Sequence, residues 1–283
     1  MHKCEVCFRH CALEEGQTGF CGVRACVNGE IISLNYGRIT SCALDPIEKK
    51  PLRHFLPGSK ILSIGSYGCN LRCPYCQNSA ISWSKEAMQY AKTAEVMTPR
   101  EIVEIALKCK TRGNVGIAYT YNEPLVGYEF VRDTARIAHE NGLKNVLVTN
   151  GTAGEKVLEE ITPFMDAMNI DLKAFTERFY HDLVKGDLEM VKAFIKEAEK
   201  LCHVELTTLI IPGKNDSEKE MHELAEWVSC LDGKIPGRQI PLHVTRFFPQ
   251  FHMTDIAETP VNMVYRLAET AREYLEYVYV GNI

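Results

Sequence analysis

Two features of the sequence predict an α/β fold: from residue 61 onward short β-rich runs alternate with helical patterns, and each helix opens a few residues after a strand closes. A third feature, cysteine and glycine crowded before residue 57 with no long periodic segment, predicts a small N-terminal domain unable to build much core alone. Six consecutive βα units read as a partial (β/α)6 TIM-like barrel over residues 58–283, preceded by a Cys-rich, metal-binding domain over residues 1–57. A doubly wound, flavodoxin-like sheet is the alternative for the same alternation.

Taken in order, the predicted strands occupy residues 61–67, 115–120, 145–149, 167–172, 204–211 and 240–247. Helices are expected to begin near Thr98-Pro99, Pro124, Gly154, Thr176, Asp216 and Thr259-Pro260, because Thr and Asp cap helix N-termini and proline suits a first turn. In such a barrel the active site lies at the C-terminal ends of the strands.

The chain has 283 residues, 46% of them hydrophobic, and a formal net charge of -5. That size supports one large core with an appendage, and the acidic balance offers phosphate backbones no general attraction, so nucleic acid is not an expected partner. No apolar stretch is long enough to span a bilayer, and Met1-His2-Lys3-Cys4 leads into polar sequence, so a cytoplasmic protein without membrane attachment is expected. Twelve cysteines in a reducing compartment point to metal rather than to disulfides.

Three of those thiols, Cys69, Cys73 and Cys76, fall directly after the first predicted strand. An iron–sulfur cubane usually takes four thiolates, so three leave one iron open for a ligand. A zinc knuckle prefers two Cys-x-x-Cys pairs and fits this uneven spacing poorly. Gly65 and Gly68 allow a tight turn, and Tyr75 is placed to shield a cluster or stack on a base. Cys4, Cys7, Cys11 and Cys21 supply four more thiols, enough for a second metal, either zinc or an auxiliary four-iron cluster able to pass electrons.

Later strand ends carry further polar groups. Glu123 follows Tyr119-Thr120-Tyr121-Asn122 and precedes Pro124, Thr149 and Asn150 close the third strand, and alternation puts Asn169, Asp171 and Lys173 on one face of the fourth. Charges there need partners. The fifth strand offers Thr207, Ile210 and Ile211, and the sixth His243 and Arg246. Each has a structural reading as well: a helix-start glutamate, an Asp171–Lys173 ion pair, barrel core, a structural histidine.

The Cys-x3-Cys-x-aromatic-Cys of residues 69–76 resembles the hallmark of the radical S-adenosylmethionine (SAM) superfamily. The Cys4, Cys7, Cys11, Cys21 leader, Asp45-Pro46-Ile47-Glu48-Lys49-Lys50-Pro51-Leu52 and Phe55-Leu56-Pro57-Gly58-Ser59 resemble relatives of pyruvate formate-lyase activating enzyme, and more narrowly the radical enzyme of the AmmeMemoRadiSam system. The resemblance implies a [4Fe–4S] cluster on Cys69, Cys73 and Cys76 whose open iron chelates SAM. Reductive cleavage to methionine and a 5′-deoxyadenosyl radical follows, and the radical takes hydrogen from a substrate. It implies that Glu123 accepts a hydrogen bond from the amino group of SAM, with Asn122 where the family has a glycine. It also implies that Asp171, Lys173 and Thr207 border the cofactor, and strand-end position makes Thr149, Asn150 and His243 further candidates for cofactor contacts. Val148 stands where the family places a carboxylate of a monovalent-cation site. The implied partners are a reducing donor such as flavodoxin or ferredoxin, and either a glycyl-radical protein or an unidentified substrate handled beside Memo-like and AMMECR-like proteins. A non-catalytic electron carrier would use the same cysteines but has no need of Glu123, Asn150 and Asp171.

Overall fold

The computed structural model describes residues 1–91, 93–231 and 240–283. Eight strands make one sheet: β1 (Ser41–Pro46), β2 (Lys60–Gly65), β3 (Asn114–Tyr119), β4 (Lys144–Thr149), β5 (Ala167–Asp171), β6 (His203–Ile210), β7 (Leu242–Arg246) and β8 (Val278–Gly281). Each strand lies beside its neighbour in sequence, β2 to β8 all parallel and β1 antiparallel to β2. That order never reverses, so it has no topological switch point and excludes the doubly wound alternative. The sheet is open, with β1 and β8 at its edges.

The helices between the strands are α1 (Pro99–Lys108), α2 (Tyr128–Glu140), α3 (Glu155–Ile161), α4 (Leu188–Leu201), α5 (Glu218–Ser229) and α6 (Val261–Arg272). Local chemistry sets their starts. Thr98 and Glu101 form a reciprocal capping box at α1, and Ser217 caps α5 by accepting from Glu220 N. The helices bury one face against strand residues such as Leu62, Ile117, Leu147, Met168 and Leu206. The other face of the sheet is the barrel interior.

The six expected strands are present within one or two residues at each end, and two edge strands join them. β1 comes from the segment expected to belong to the N-terminal domain, so the sheet begins at Ser41 rather than at residue 61. The helical stretch expected near Thr176 is present but short and π-helical. A π-helical turn, Phe179–Val184, stops at Lys185 (φ 56°) and Gly186, and Asp187 then caps α4 by accepting from Met190 N. At Pro124 a turn, Pro124–Gly127, precedes α2.

The leader has two small pairings, His2–Lys3 with Ala12–Leu13 and Arg24–Val27 with Glu30–Ser33. It docks on the barrel through a bridge between Cys7 and Ala153 and a 2.7 Å Arg24–Glu129 ion pair. Among the described residues no helix is long and apolar enough to cross a membrane.

Candidate active site

The cysteine loop leaves β2 and turns back over the C-terminal strand ends. Gly68 adopts φ 95°, and a Cβ there would sit 2.0 Å from the Val23 side chain, so the position tolerates no larger residue. Asn122 staples the loop to the end of β3: its Oδ1 accepts from Ser66 N at 3.0 Å, and its Nδ2 donates to Tyr67 O at 3.1 Å and Gly68 O at 3.2 Å. An asparagine here therefore ties the loop down by its side chain, where a glycine would only make room.

Cys69, Cys73 and Cys76 line a cavity of about 430 Å³ together with Tyr75, Asn122, Glu123, Thr149, Asn150, Asp171, Lys173 and Thr207. Burial, with the charges of Glu123 and Cys73 adding to it, pushes the Cys69 thiol well above its ordinary value, and burial pushes Cys73 up to about 11. Weak donors already face the sulfurs: Leu71 N lies 3.4 Å and Asn150 Nδ2 3.8 Å from Cys69 Sγ. Thiols gathered in this way become thiolates when a cation neutralises them, which fits an iron–sulfur cluster. Among the described residues no three His, Cys, Asp or Glu side chains converge as a single metal ion would require. A cubane, by contrast, spreads its ligands over separate iron atoms.

Glu123 is buried at the same mouth. Its carboxylate accepts from Thr149 Oγ1 at 2.7 Å, Asn150 N at 2.8 Å and Leu125 N at 3.1 Å. Burial outweighs these bonds and raises its pKa to about 7. The bond from Leu125 N caps the turn after Pro124, and the group also lines the cavity. Lys173 Nζ pairs with Asp171 Oδ2 at 2.8 Å, and Asn169 and Thr207 exchange hydrogen bonds of 2.9 and 3.1 Å across neighbouring strands. Val148 also lines the cavity. The Tyr75 hydroxyl is buried without a hydrogen-bond partner.

His243 stands apart from this group. Its Nε2 bonds Glu205 Oε2 at 2.7 Å on the neighbouring strand, so a carboxylate two residues below Thr207 holds the ring away from the cavity lining. Arg246 is likewise engaged elsewhere, by Thr259 O at 2.7 Å and Glu258 at 2.6 Å, while Ile210 and Ile211 are fully buried core. The leader cysteines gather behind the cysteine loop. Cys4 N donates to Cys11 O at 2.9 Å, and Cys69 N meets Cys21 O at 3.3 Å. Burial raises Cys7 to about 11 and Cys21 above its ordinary value.

Sequence reasoning missed Lys49, Lys50, Tyr121 and Thr245 in the lining. Lys49 and Lys50 lie in the Asp45 to Leu52 stretch that carries the narrower resemblance, and that was the available signal.

A profile of the radical SAM superfamily matches residues 63–228, from within β2 to α5. The chain belongs to the radical SAM superfamily. Superfamily members are enzymes, and membership implies a [4Fe–4S] cluster and SAM, in agreement with the cysteine loop and the cavity it lines. An uncharacterized protein of Methanocaldococcus jannaschii is 42% identical over 99% of this chain and 81% of its own length. The pyruvate formate-lyase 1-activating enzyme of Escherichia coli is 25% identical over 66% of this chain and 75% of its own. Among solved structures, a domain of pyruvate-formate lyase-activating enzyme from Bacteroides vulgatus aligns with a TM-score of 0.51 at 17% identity, covering 59% of this chain and 99% of that domain. Streptococcus suis SuiB bound to S-adenosylmethionine aligns at 0.57 and 13% identity, over 78% of this chain and 51% of that one. These radical SAM proteins share the fold.

Proposed function

We propose that this chain is a radical SAM enzyme whose Cys69, Cys73 and Cys76 hold a [4Fe–4S] cluster and whose cavity binds SAM against it. The observation that carries the reading is that the three thiols line one cavity with Glu123, Asn150 and the Asp171–Lys173 pair, drawn from successive strand ends. When bound, the reduced cluster supplies one electron that splits a carbon–sulfur bond of SAM into methionine and a 5′-deoxyadenosyl radical, which takes hydrogen from the substrate. Glu123 accepts a hydrogen bond from the amino group of the methionine part, and such a charge-assisted bond is stronger than a neutral one. Asn150 holds Cys69 and Asn70 in place. Thr207 and Asn169 present a polar wall, and Tyr75 offers its hydroxyl to the nucleoside. Together they replace a rare encounter by a fixed geometry. A flavodoxin- or ferredoxin-like donor would supply the electron.

Dithionite-reduced, anaerobically reconstituted protein is expected to convert SAM into equal amounts of methionine and 5′-deoxyadenosine, and Cys73→Ala to lose the iron of this cluster and the product. No product from the wild type, or as much from Cys73→Ala, would sink the proposal. Similarity to the E. coli activating enzyme supports a second reading, an activase for a glycyl-radical protein. The AmmeMemoRadiSam resemblance instead supports work beside Memo-like and AMMECR-like proteins. A second metal on Cys4, Cys7, Cys11 and Cys21 is a separate part of the proposal. Zinc and acid-labile sulfide measured in Cys73→Ala decide it, since metal retained in that variant belongs to the leader.

A further inference from the structure

Residues 47–57 run from edge strand β1 across the inner face of the sheet to the opposite edge, β8. Ile47 and Leu52, both fully buried, pack against the inward-facing Ile61, Ala118, Val146 and Ala167, where the two alanines leave room for them. Burying two such side chains anchors the segment to the sheet. The Glu205 carboxylate, itself fully buried, accepts from Arg53 N at 2.9 Å and His54 N at 2.8 Å, while Asn169 Nδ2 donates to Pro51 O at 2.9 Å. At the far edge His54 Nε2 meets the Tyr279 hydroxyl of β8 at 2.6 Å. The two edges that the sheet leaves unpaired are thus joined by a strap.

The strap also supplies cavity wall. Lys49, Lys50 and Pro51 line the same cavity as the cysteine loop. Lys50 is 3% exposed, with its Nζ 2.9 Å from Asp45 Oδ2, and Lys49 Nζ lies 3.3 Å from Asp45 Oδ1. Asp45 stands behind the lysines, outside the lining, and also accepts from the Tyr121 hydroxyl at 2.8 Å. Glu48 turns away to accept from Gly58 N. Two ammonium groups against one carboxylate leave this wall one positive charge in excess.

We infer that the strap makes the barrel a chamber for a small molecule rather than for a polypeptide loop, and that Lys49 and Lys50 select a substrate carrying a carboxylate or phosphate group. The cavity of about 430 Å³ lies at the small end of ligand sites and has to hold SAM as well, so the room left beside the strap suits a small molecule. A polypeptide entering from the side would have to displace a segment whose carbonyl, amides and apolar side chains are all engaged. An anionic group at the strap would neutralise the excess charge and accept charge-assisted hydrogen bonds. The inference rests on the radical SAM reading above.

The test uses the reconstituted holoenzyme with SAM and dithionite as electron source, and an extract of source cells grown in deuterated medium. The extract is divided into macromolecules, dialysable compounds retained by an anion exchanger, and dialysable compounds that flow through. In each turnover a deuterium atom leaves a substrate carbon and forms a bond to the 5′ carbon, so the unpaired electron remains on the substrate and the 5′-deoxyadenosine gains one mass unit. Mass-shifted 5′-deoxyadenosine is expected with the retained fraction. The share of mass-shifted product is expected to fall at least severalfold in Lys50→Met and in Lys49→Met, the second variant altering a largely exposed side chain that folding does not require. Mass-shifted product from the macromolecules or the flow-through, or shares unchanged in both variants, overturns the inference. Absence of any 5′-deoxyadenosine, even without extract, overturns the radical SAM reading itself and is told apart by that control.

Discussion

The mouth of the cavity and its strap end are built from similar polar residues, yet their electrostatics run in opposite directions. At the mouth, burial raises the Cys69 and Cys73 thiols and lifts Glu123 to about 7, because the hydrogen bonds they receive do not offset lost hydration. At the strap end burial acts on Glu205 and Asp45 too, but the bonds win. His203, His243 and the amides of Arg53 and His54 hold the Glu205 carboxyl well below the usual range, and Lys50 with Tyr121 does the same for Asp45. The difference separates two tasks. Carboxylates satisfied within the chain, Glu205 and Asp45, fix the architecture, whereas the thiols and Glu123 at the mouth and the excess ammonium charge of Lys49 and Lys50 wait for a cation or ligand to complete them.

The largest expected effect tests the satisfied end. Glu205→Gln leaves the strap amides and both histidines with a weaker acceptor and should cost about 3–5 kcal/mol in urea unfolding. The folded Glu205 titrates below its unfolded value of about 4.3. Its contribution is therefore complete above that pH and is lost as pH falls further. Wild type should weaken through that acidic window, and the variant should show a flatter profile. A variant as stable as wild type would mean that the strap is not latched at Glu205.

The next effect tests the unsatisfied end. With Glu123 at about 7 in the free protein, SAM binding below that pH has to expel a proton. Affinity measured by equilibrium dialysis of the holoenzyme should then fall about tenfold per pH unit below neutrality. Glu123→Gln should bind more weakly and without that slope. If the slope persists in the variant, another group titrates.

The smallest effect asks whether the mouth is also held from within. Asn122→Ala removes the bonds to Ser66 N and to the Tyr67 and Gly68 carbonyls and should cost about 1–2 kcal/mol. The cluster should be lost faster to an iron chelator, at little cost to secondary structure by circular dichroism. Unchanged chelation would place the loop's rigidity elsewhere, in the Cys69–Cys21 backbone contact.

Residue order alone determined the βα alternation, the position of five of the six helix starts and the loop of three thiols after a strand, because each depends on neighbours a few residues apart: hydrophobic period, caps, cysteine spacing. Glu123 and the Asp171–Lys173 pair were also legible, since a charge beside an apolar strand must find a partner or a ligand. The tertiary structure decided the rest. β8 is only four residues long, and β1, though six, alternates weakly and pairs antiparallel at an edge, so no local pattern marks either. His243 resembled a cofactor contact until Glu205 on the adjacent strand claimed it. The strap has no period of its own, and its acceptor lies 152 residues away at Glu205. Such long-range bonds exist only once the barrel has brought both ends together.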